Sequence, residues 1–530
     1  MNKACESGKG YMILSCEQYK GLRGNKSRSK RLPIPLMEIF HPSTPELLLS
    51  ILCFLVFLVH RHRKTRGELT KWPIVGMLPG LAVNLHRLHD FATEILVHNG
   101  SSYLFIGPWF SGMRLLITCD PANVNHVFNA NFHNYPKGHE FSEIFDLLGD
   151  GIFNADDESW RSQRKKAQLL IAQPRFRGFA ARCIRDKVDN SLLPLLQKVS
   201  EQGKIVDLQD IFLRLSFDIT CSMVFGEDSA SLNPNFTVVP FSKAMDDAMN
   251  VIMLRHAFPA TWWKVMRRLN VGFEKRLAAA RLVIDEFIAE SISKRKQESY
   301  SAGAESAGGG VDSLLKAYIE CAEGGNESAT NKFLRDTTLS LMLAGRDTIG
   351  VALAWFFYLL CKNPNVEERL LKELRRGEAG EGVYLHAALC EALRLYPSVP
   401  FESKGVVAED TLPSGDTVKP GMQVLFSTYT MGRMEGVWGK DCREFLPERW
   451  LTERERLRHE PAYKFMSFNC GPRTCLGKEL AFAELKATAA AVVKQFRMEI
   501  VEGHVVEPKL SIILQMRNGL KVRVKKRVNY

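Results

Sequence analysis

The sequence predicts a mainly α-helical fold with small β-sheets, built as one large body behind an apolar N-terminal segment. Three observations carry this. From residue 156 onward the apolar pattern is mostly helical. Short extended runs are confined to residues 85–130 and to the last 120 residues. Leu47 to Val59 (LLLSILCFLVFLV) is an almost unbroken apolar run. The 530 residues are 45% apolar, 25% charged and 10% aromatic, which excludes a disordered chain, a collagen-like repeat and a multi-span membrane protein.

Charge narrows the partners. The chain carries 71 Lys+Arg against 59 Asp+Glu, a net +12, and residues 1–66 hold +8 of it (12 basic, four acidic). The remaining 464 residues are only mildly basic, without the basic excess that a nucleic-acid enzyme usually spreads along its body. A basic head flanking an apolar run points to a membrane surface instead. Twelve cysteines at irregular spacing, none in a Cys-x-x-Cys pair, read as buried thiols and not as a disulfide framework.

Residues 45–60 are the candidate membrane anchor. The run is short of the roughly 20 residues of a full span, and Arg61, His62, Arg63 and Lys64 follow it in place of a small-residue cleavage site. The reading is an uncleaved signal anchor with a cytosolic body; a buried core helix is the alternative. Residues 1–44 form a basic extension whose charge competes with the 61–66 cluster, so Met37 is an alternative start. Residues 61–80, with Pro73 and Pro79, read as a basic, proline-stiffened hinge. The body is expected over 81–530.

Within the body, YLFIG and RLLITC are expected to pair around a turn at Pro108–Gly112, and Asp120-Pro121 to open a helix. Ser301–Gly310 and residues 324–331 (GGNESATN) read as loops. A long helix is expected from about Asn331 to Cys361, roughly 45 Å at 1.5 Å per residue. Its second half, VALAWFFYLLC, is apolar all round and so deeply buried. Arg346 and Asp347 at its centre make a transmembrane span costly; a polar notch in a buried helix suggests a site. LPSGDTV and LQMRNGLKVRV read as hairpins, the second around Asn518–Gly519.

The strongest chemical signal is Phe468-Asn-Cys-Gly-Pro-Arg-Thr-Cys475-Leu-Gly477. Gly471 allows a tight bulge, Arg473 puts a cation two residues before the thiol, and Gly477 permits close approach as a helix starts at Lys478. A cysteine ahead of a helix N-terminus is expected to be held as thiolate. With no cluster of further Cys or His ligands, an axial haem ligand suits it better than zinc.

At this point the sequence resembles the cytochrome P-450 superfamily of haem-thiolate monooxygenases, over about residues 72–530. The Phe-x-x-Gly-x-Arg-x-Cys-x-Gly pattern is similar to the family's haem signature. Glu391-Ala-Leu-Arg394 resembles its Glu-x-x-Arg, and Pro447-Glu-Arg449-Trp450 the segment whose arginine completes a structural triad with that pair. Trp160-Arg-Ser-Gln-Arg164 resembles the Trp-x-x-x-Arg whose side chains meet a haem propionate. Ala344-Gly-Arg-Asp347-Thr348 matches the oxygen-activation motif. The resemblance implies a cytochrome P-450 fold and haem b held by Cys475, with Arg473, Phe468, Gly471, Gly477, Trp160 and Arg164 around it. It further implies that Gly345 lets the long helix open, that Thr348 supplies a hydroxyl and that Asp347 relays protons. Electrons would come from an NADPH-cytochrome P-450 reductase in the endoplasmic reticulum membrane, because the chain has no flavin or nicotinamide fingerprint; Arg473, Lys478 and Lys486 are candidates for its docking face. Membrane lipid and a hydrophobic small-molecule substrate are the other partners implied, and no nucleic acid.

Several stretches, among them VYLHAALCEALRLYPSVPFESK and YKFMSFNCGPRTCLGKELA, resemble the plant fatty-acid ω-hydroxylase clan, most of all its mid-chain alkane hydroxylases. That subgroup also holds oxidative phenol-coupling enzymes. The expected reaction is hydroxylation of very-long-chain alkanes or fatty acids, with phenol coupling or another specialised oxidation as the alternative. Three departures stand out: Cys470 where a small residue is usual, Ile349 after Thr348, and a short link over Lys372–Val383. By analogy the pocket is lined by 138–155, Phe212–Phe225, Leu341–Thr348, Ser398–Phe401 and Leu514–Arg517, with Arg517 as a candidate cation for a fatty acid.

Overall fold

The computed structural model describes residues 48–55, 69–301, 313–321, 327–376 and 382–527. It divides into two units, 1–62 and 63–530. In the first, residues 48–55 are helical and expose Leu48, Leu49, Leu52 and Phe54. The rest of the expected anchor, the basic extension with Met37, and the 302–310 part of the first loop lie outside the described residues.

In the second unit the elements that matter for the site run as follows: α1 (Leu88–His98), β1 (Ser102–Ile106), β2 (Arg114–Thr118), α2 (Asp157–Ile171), β3 (Ile205–Asp207), α3 (Leu208–Phe225), α4 (Pro240–Ala257), α5 (Glu327–Lys362), α6 (Pro364–Arg376), α7 (Val383–Leu395), β4 (Phe401–Gly405), β5 (Asp410–Thr411), β6 (Thr417–Val418), β7 (Gln423–Ser427), α8 (Lys478–Gln495), β8 (Phe496–Ile500) and β9 (Lys521–Lys526). Helices dominate, and three small sheets run β1-β2-β7-β4, β3-β9-β8 and β5-β6.

The expected pairing of 103–107 with 114–119 is present, in register from Ser102 opposite Thr118 to Ile106 opposite Arg114. Asp120 opens its helix by accepting the Ala122 N–H at 2.7 Å. The proline-rich stretch is bonded to the body: Met77 N–H donates to the Ile106 carbonyl at 2.8 Å and Trp109 N–H to that of Ile74 at 3.1 Å. Gly76, at φ 60°, sits so close to Gly107 that a Cβ would lie 2.2 Å from its carbonyl oxygen.

The long helix α5 begins at Glu327, four residues earlier than the sequence suggests, and its 36 residues span about 54 Å. It is long and apolar enough to cross a membrane by length and composition, yet 78% of its most apolar window is buried within the body. It is the spine of the main core: Val351, Leu353, Ala354 and Phe356 are fully enclosed. α3 packs along it, with Phe212 stacked on Phe357 at 5.2 Å. This corrects the assignment of Phe212–Phe225 to the pocket. Its apolar run serves helix packing, a burden that reads in sequence like a pocket wall.

The Asn518–Gly519 hairpin is a second correction. The turn exists, with Gly519 at φ 67° and a virtual Cβ 1.9 Å from the Asp207 carboxylate, but its arms do not pair. β9 instead lies between β3 and β8, so its partners are supplied from about 315 and 25 residues away in sequence. At the short link, Glu373 of α6 caps α7 by accepting the Tyr384 and Leu385 N–H groups at 2.7 and 3.0 Å, while residues 377–381 lie outside the described ones.

Candidate functional site

The cysteine segment is shaped by its glycines. Gly471, at φ 64°, would place a Cβ 2.0 Å from the Phe128 carbonyl oxygen, so only glycine fits. A 3-10 turn over Gly471–Arg473 follows, Cys475 N–H donates to the Phe468 carbonyl at 2.8 Å, and Gly477 caps α8. The Cys475 sulfur is thereby presented just ahead of the helix, on an exposed residue. Crowding by protein pushes the thiol pKa up, and the Gly477 N–H with the Arg164 and Lys478 charges only partly opposes this. A bound metal ion removes that proton by coordination.

The structure brings Trp160, Arg164, Arg473 and Cys475 together. Arg164, on α2, donates to the Thr474 carbonyl at 2.7 Å. The Trp160 ring has the Arg164 guanidinium 5.7 Å and that of Arg473 4.6 Å from its centre. Arg473 is tied to Asp156 at 2.5 Å and to the Ala155 carbonyl at 2.8 Å. Its side chain is only 6% exposed, so it leaves the candidate reductase-docking face, where Lys478 remains exposed. Phe468 packs on Phe482, ring centres 5.1 Å apart.

Beside this group is Lys404, a residue with no signal in the sequence. It is the buried position of β4, 0% exposed, and its ammonium lies over the rings of Phe128 and Phe132 at 5.0 and 5.1 Å with no hydrogen-bond partner. Burial, followed by repulsion from Lys137 and Arg473, pushes its pKa down to about 7. The Arg473 Nε–H is likewise buried without a partner. Arg473 lines a shallow cleft with Phe132, Pro136, Asp156 and Trp160 among others. The unpartnered Lys404 ammonium and Arg473 Nε–H, beside the Phe132 and Trp160 rings and a cysteine sulfur, fit a flat, apolar, iron-bearing group with carboxylate arms. Lys404→Met is expected to speed loss of that group to an acceptor protein about 10–100-fold, the equivalent of one charge-assisted hydrogen bond of ~1.5–3 kcal/mol. Lys404→Arg should retain most of the hold. Unchanged transfer in the methionine variant would refute this role.

The notch of α5 is arranged differently from expectation. Gly345 faces α3: a Cβ there would lie 2.6 Å from Thr220 Oγ1, so the glycine serves close helix packing. Ala344 and Thr348, one turn apart, are the more open positions, exposed and half-buried. The Thr348 hydroxyl donates to the Ala344 carbonyl at 2.7 Å. Asp347 is 2% exposed. Its carboxylate accepts from Arg346 at 2.8 Å, and Arg346 also donates to Asp246 and Ser242 of α4, each at 2.8 Å. Burial raises the Asp347 pKa, Arg346 opposing. No direct Asp347–Thr348 hydrogen bond forms, because successive helical residues point about 100° apart.

Glu391 and Arg394 are fully enclosed and doubly bonded, Nε and Nη2 each 2.7 Å from a carboxylate oxygen. Arg449 joins at 3.4 Å and Trp450 Nε1 donates to Glu391 at 2.9 Å. The remaining Arg394 donors bind the Cys442 and Glu444 carbonyls at 2.7 and 3.0 Å. The tip segment is tied to the notch: Leu514 N–H donates to the Ser398 carbonyl at 2.9 Å, and the Ser398 hydroxyl to that of Thr348 at 2.7 Å. Arg517, the expected substrate cation, is paired with Glu507 at 3.2 Å and with the His86 carbonyl.

Comparison with known proteins agrees with this geometry. The cytochrome P-450 family model matches residues 67–524. The chain is 42% identical over 511 residues to noroxomaritidine synthase of Narcissus aff. pseudonarcissus, covering 92% of this chain and 98% of the relative. It is 42% identical to cytochrome P-450 86B1 of Arabidopsis thaliana, over 90% of this chain and 89% of the relative. It is 38% identical to alkane hydroxylase MAH1 of Arabidopsis thaliana, over 90% and 97%.

Proposed function

Since the chain belongs to the cytochrome P-450 family, and is an oxygen-incorporating oxidoreductase of plant type, we propose that its substrates are long aliphatic chains, alkanes or fatty acids, hydroxylated at carbon. The observation that carries this is the character of the segments at the notch. Leu341, Ala344, Val399 and Ile512 are apolar, and the two nearby hydroxyls, Thr348 and Ser398, already donate to main-chain carbonyls. Such a surface rewards each buried methylene by about 0.8 kcal/mol.

Haem, when bound, supplies the reductive activation of dioxygen and insertion of one oxygen atom into a C–H bond. The chain's own residues do the rest. Cys475 ligates through sulfur. Arg473, Lys404, Arg164 and Trp160 would hold the haem's carboxylate arms. The Thr348 hydroxyl passes a proton into the cavity, and Asp347, held by Arg346, is the store behind it. Electrons come from a partner reductase, which we take to be NADPH-dependent and docked near Lys478. We take the N-terminal apolar run to be an anchor in the endoplasmic reticulum membrane.

Phenol coupling is the second reading, favoured by the 42% identity to noroxomaritidine synthase. Optical titration of the ferric enzyme separates the two. A long-chain alkane or fatty acid should shift the absorption band to shorter wavelength at micromolar concentration, and a phenolic amine should not. The reverse pattern would establish phenol coupling.

A further inference from the structure

Arg346, the partner of Asp347 on α5, is shared between two acids. Its Nη1 donates to the Asp347 carboxylate and to that of Asp246, each at 2.8 Å, and its Nη2 donates to the Ser242 hydroxyl at 2.8 Å. The Nε–H is buried without a partner. Ser242 and Asp246 lie one turn apart on α4, so one face of that helix presents both to the guanidinium. The side chains of Arg346 and Asp347 are each 3% exposed, and that of Asp246 is 46% exposed. From solvent inward the order is therefore acid, cation, acid.

Among the described residues Asp246 makes its one ion pair with Arg346, whereas Asp247 beside it is held by Lys243 and Arg276 at 2.8 and 2.9 Å. Asp347 depends on the cation to ionise, since burial opposes its charge. A buried carboxylate with a guanidinium to itself stays ionised and carries no proton. A second carboxylate on the same nitrogen draws on that positive charge and returns proton affinity to the first. From the other elements packed there, α3 brings the buried Cys221 thiol toward Arg346, and the tip segment brings the charge of Lys509, which opposes proton uptake by Asp347.

We propose that Asp246 is a positioning residue for oxygen activation: by sharing the Arg346 guanidinium it keeps Asp347 from being locked to that cation, so that the inner acid stays able to take up a proton and pass it on. This rests on the reading of Asp347 as the store behind Thr348 and deepens it, adding a half-exposed acid on α4 that acts through a buried cation. The step is proton transfer alone. An O–H bond forms on Asp347 as a solvent hydronium ion becomes water, and it breaks when the proton moves on toward Thr348; no electrons change hands.

The test is infrared titration of the full-length holoenzyme, following the carboxylic C=O band that Asp347→Asn removes. Asp246→Asn keeps an oxygen to accept Arg346 and loses the charge, and should move the midpoint of that band to lower pH. Asp246→Glu should stay near the wild type. So should Ser242→Ala, which removes an Arg346 contact without removing a charge. Turnover, measured with a long-chain fatty acid or a phenolic amine, whichever shifts the ferric spectrum, should fall with rising pH through the same midpoint and shift with it in Asp246→Asn. An unmoved midpoint in Asp246→Asn, an equal shift in Ser242→Ala, or the absence of any titrating band that Asp347→Asn removes would overturn the proposal. Midpoints that move as expected while Asp347→Asn leaves the pH profile of turnover unchanged would overturn instead the reading of Asp347 as the store.

Discussion

Cys475→Ala is expected to abolish monooxygenase activity and the reduced carbon-monoxide band at about 450 nm that marks a thiolate-ligated haem, without unfolding the chain. The structure supports both halves. The side chain is exposed and makes no hydrogen bond as donor, whereas the main-chain bond from Cys475 N–H to Phe468 survives the substitution. Difference spectra of wild type and variant, beside their far-ultraviolet circular dichroism, check this. A variant that retains the band would show that another group ligates the iron.

Glu391→Ala is expected to have the largest effect on stability. The carboxylate is 0% exposed and receives Arg394 twice, Trp450 Nε1 and the Leu446 N–H at 3.1 Å, with Arg449 at 3.4 Å. Removing it leaves Arg394, 2% exposed, as an uncompensated buried charge. Breaking such a pair costs about 3–5 kcal/mol, a large part of the 5–15 kcal/mol typical of a folded domain. The variant should therefore accumulate as haem-free, protease-sensitive protein. Glu391→Gln should be intermediate, because it keeps one acceptor and loses the charge. Haem content per folded protein and limited proteolysis measure this; a fully loaded, protease-resistant Glu391→Ala would contradict it.

What the sequence made legible depended on how local the signal was. The cysteine segment, the notch of α5 and the Glu391–Arg394 pair are each written within ten or so consecutive residues. The first strand pair, joined by a short turn, appears where expected. Lys404 was invisible because a lysine in FESKG looks like any strand surface residue. Its burial is set by Phe128 and Phe132, more than 270 positions away. Gly345 was misread for a related reason: the motif marks a glycine, but only the position of Thr220 shows that it opens toward α3 and not toward the cavity. The β9 partners were missed because sheet pairing at long separation leaves no periodicity of its own. Phe212–Phe225 was misplaced because a buried helix and a pocket wall demand the same residues.

The central claim is insertion of oxygen from dioxygen into a long aliphatic chain. The most direct test is incubation of the reductase-supplemented enzyme with a long-chain fatty acid or alkane under oxygen-18 gas, followed by mass spectrometry of the product. The account predicts an alcohol carrying one oxygen-18 atom on the chain, formed only when Cys475 is present. Recovery of unlabelled chains, with a phenolic substrate instead joined through a new carbon–carbon bond and no label, would contradict it.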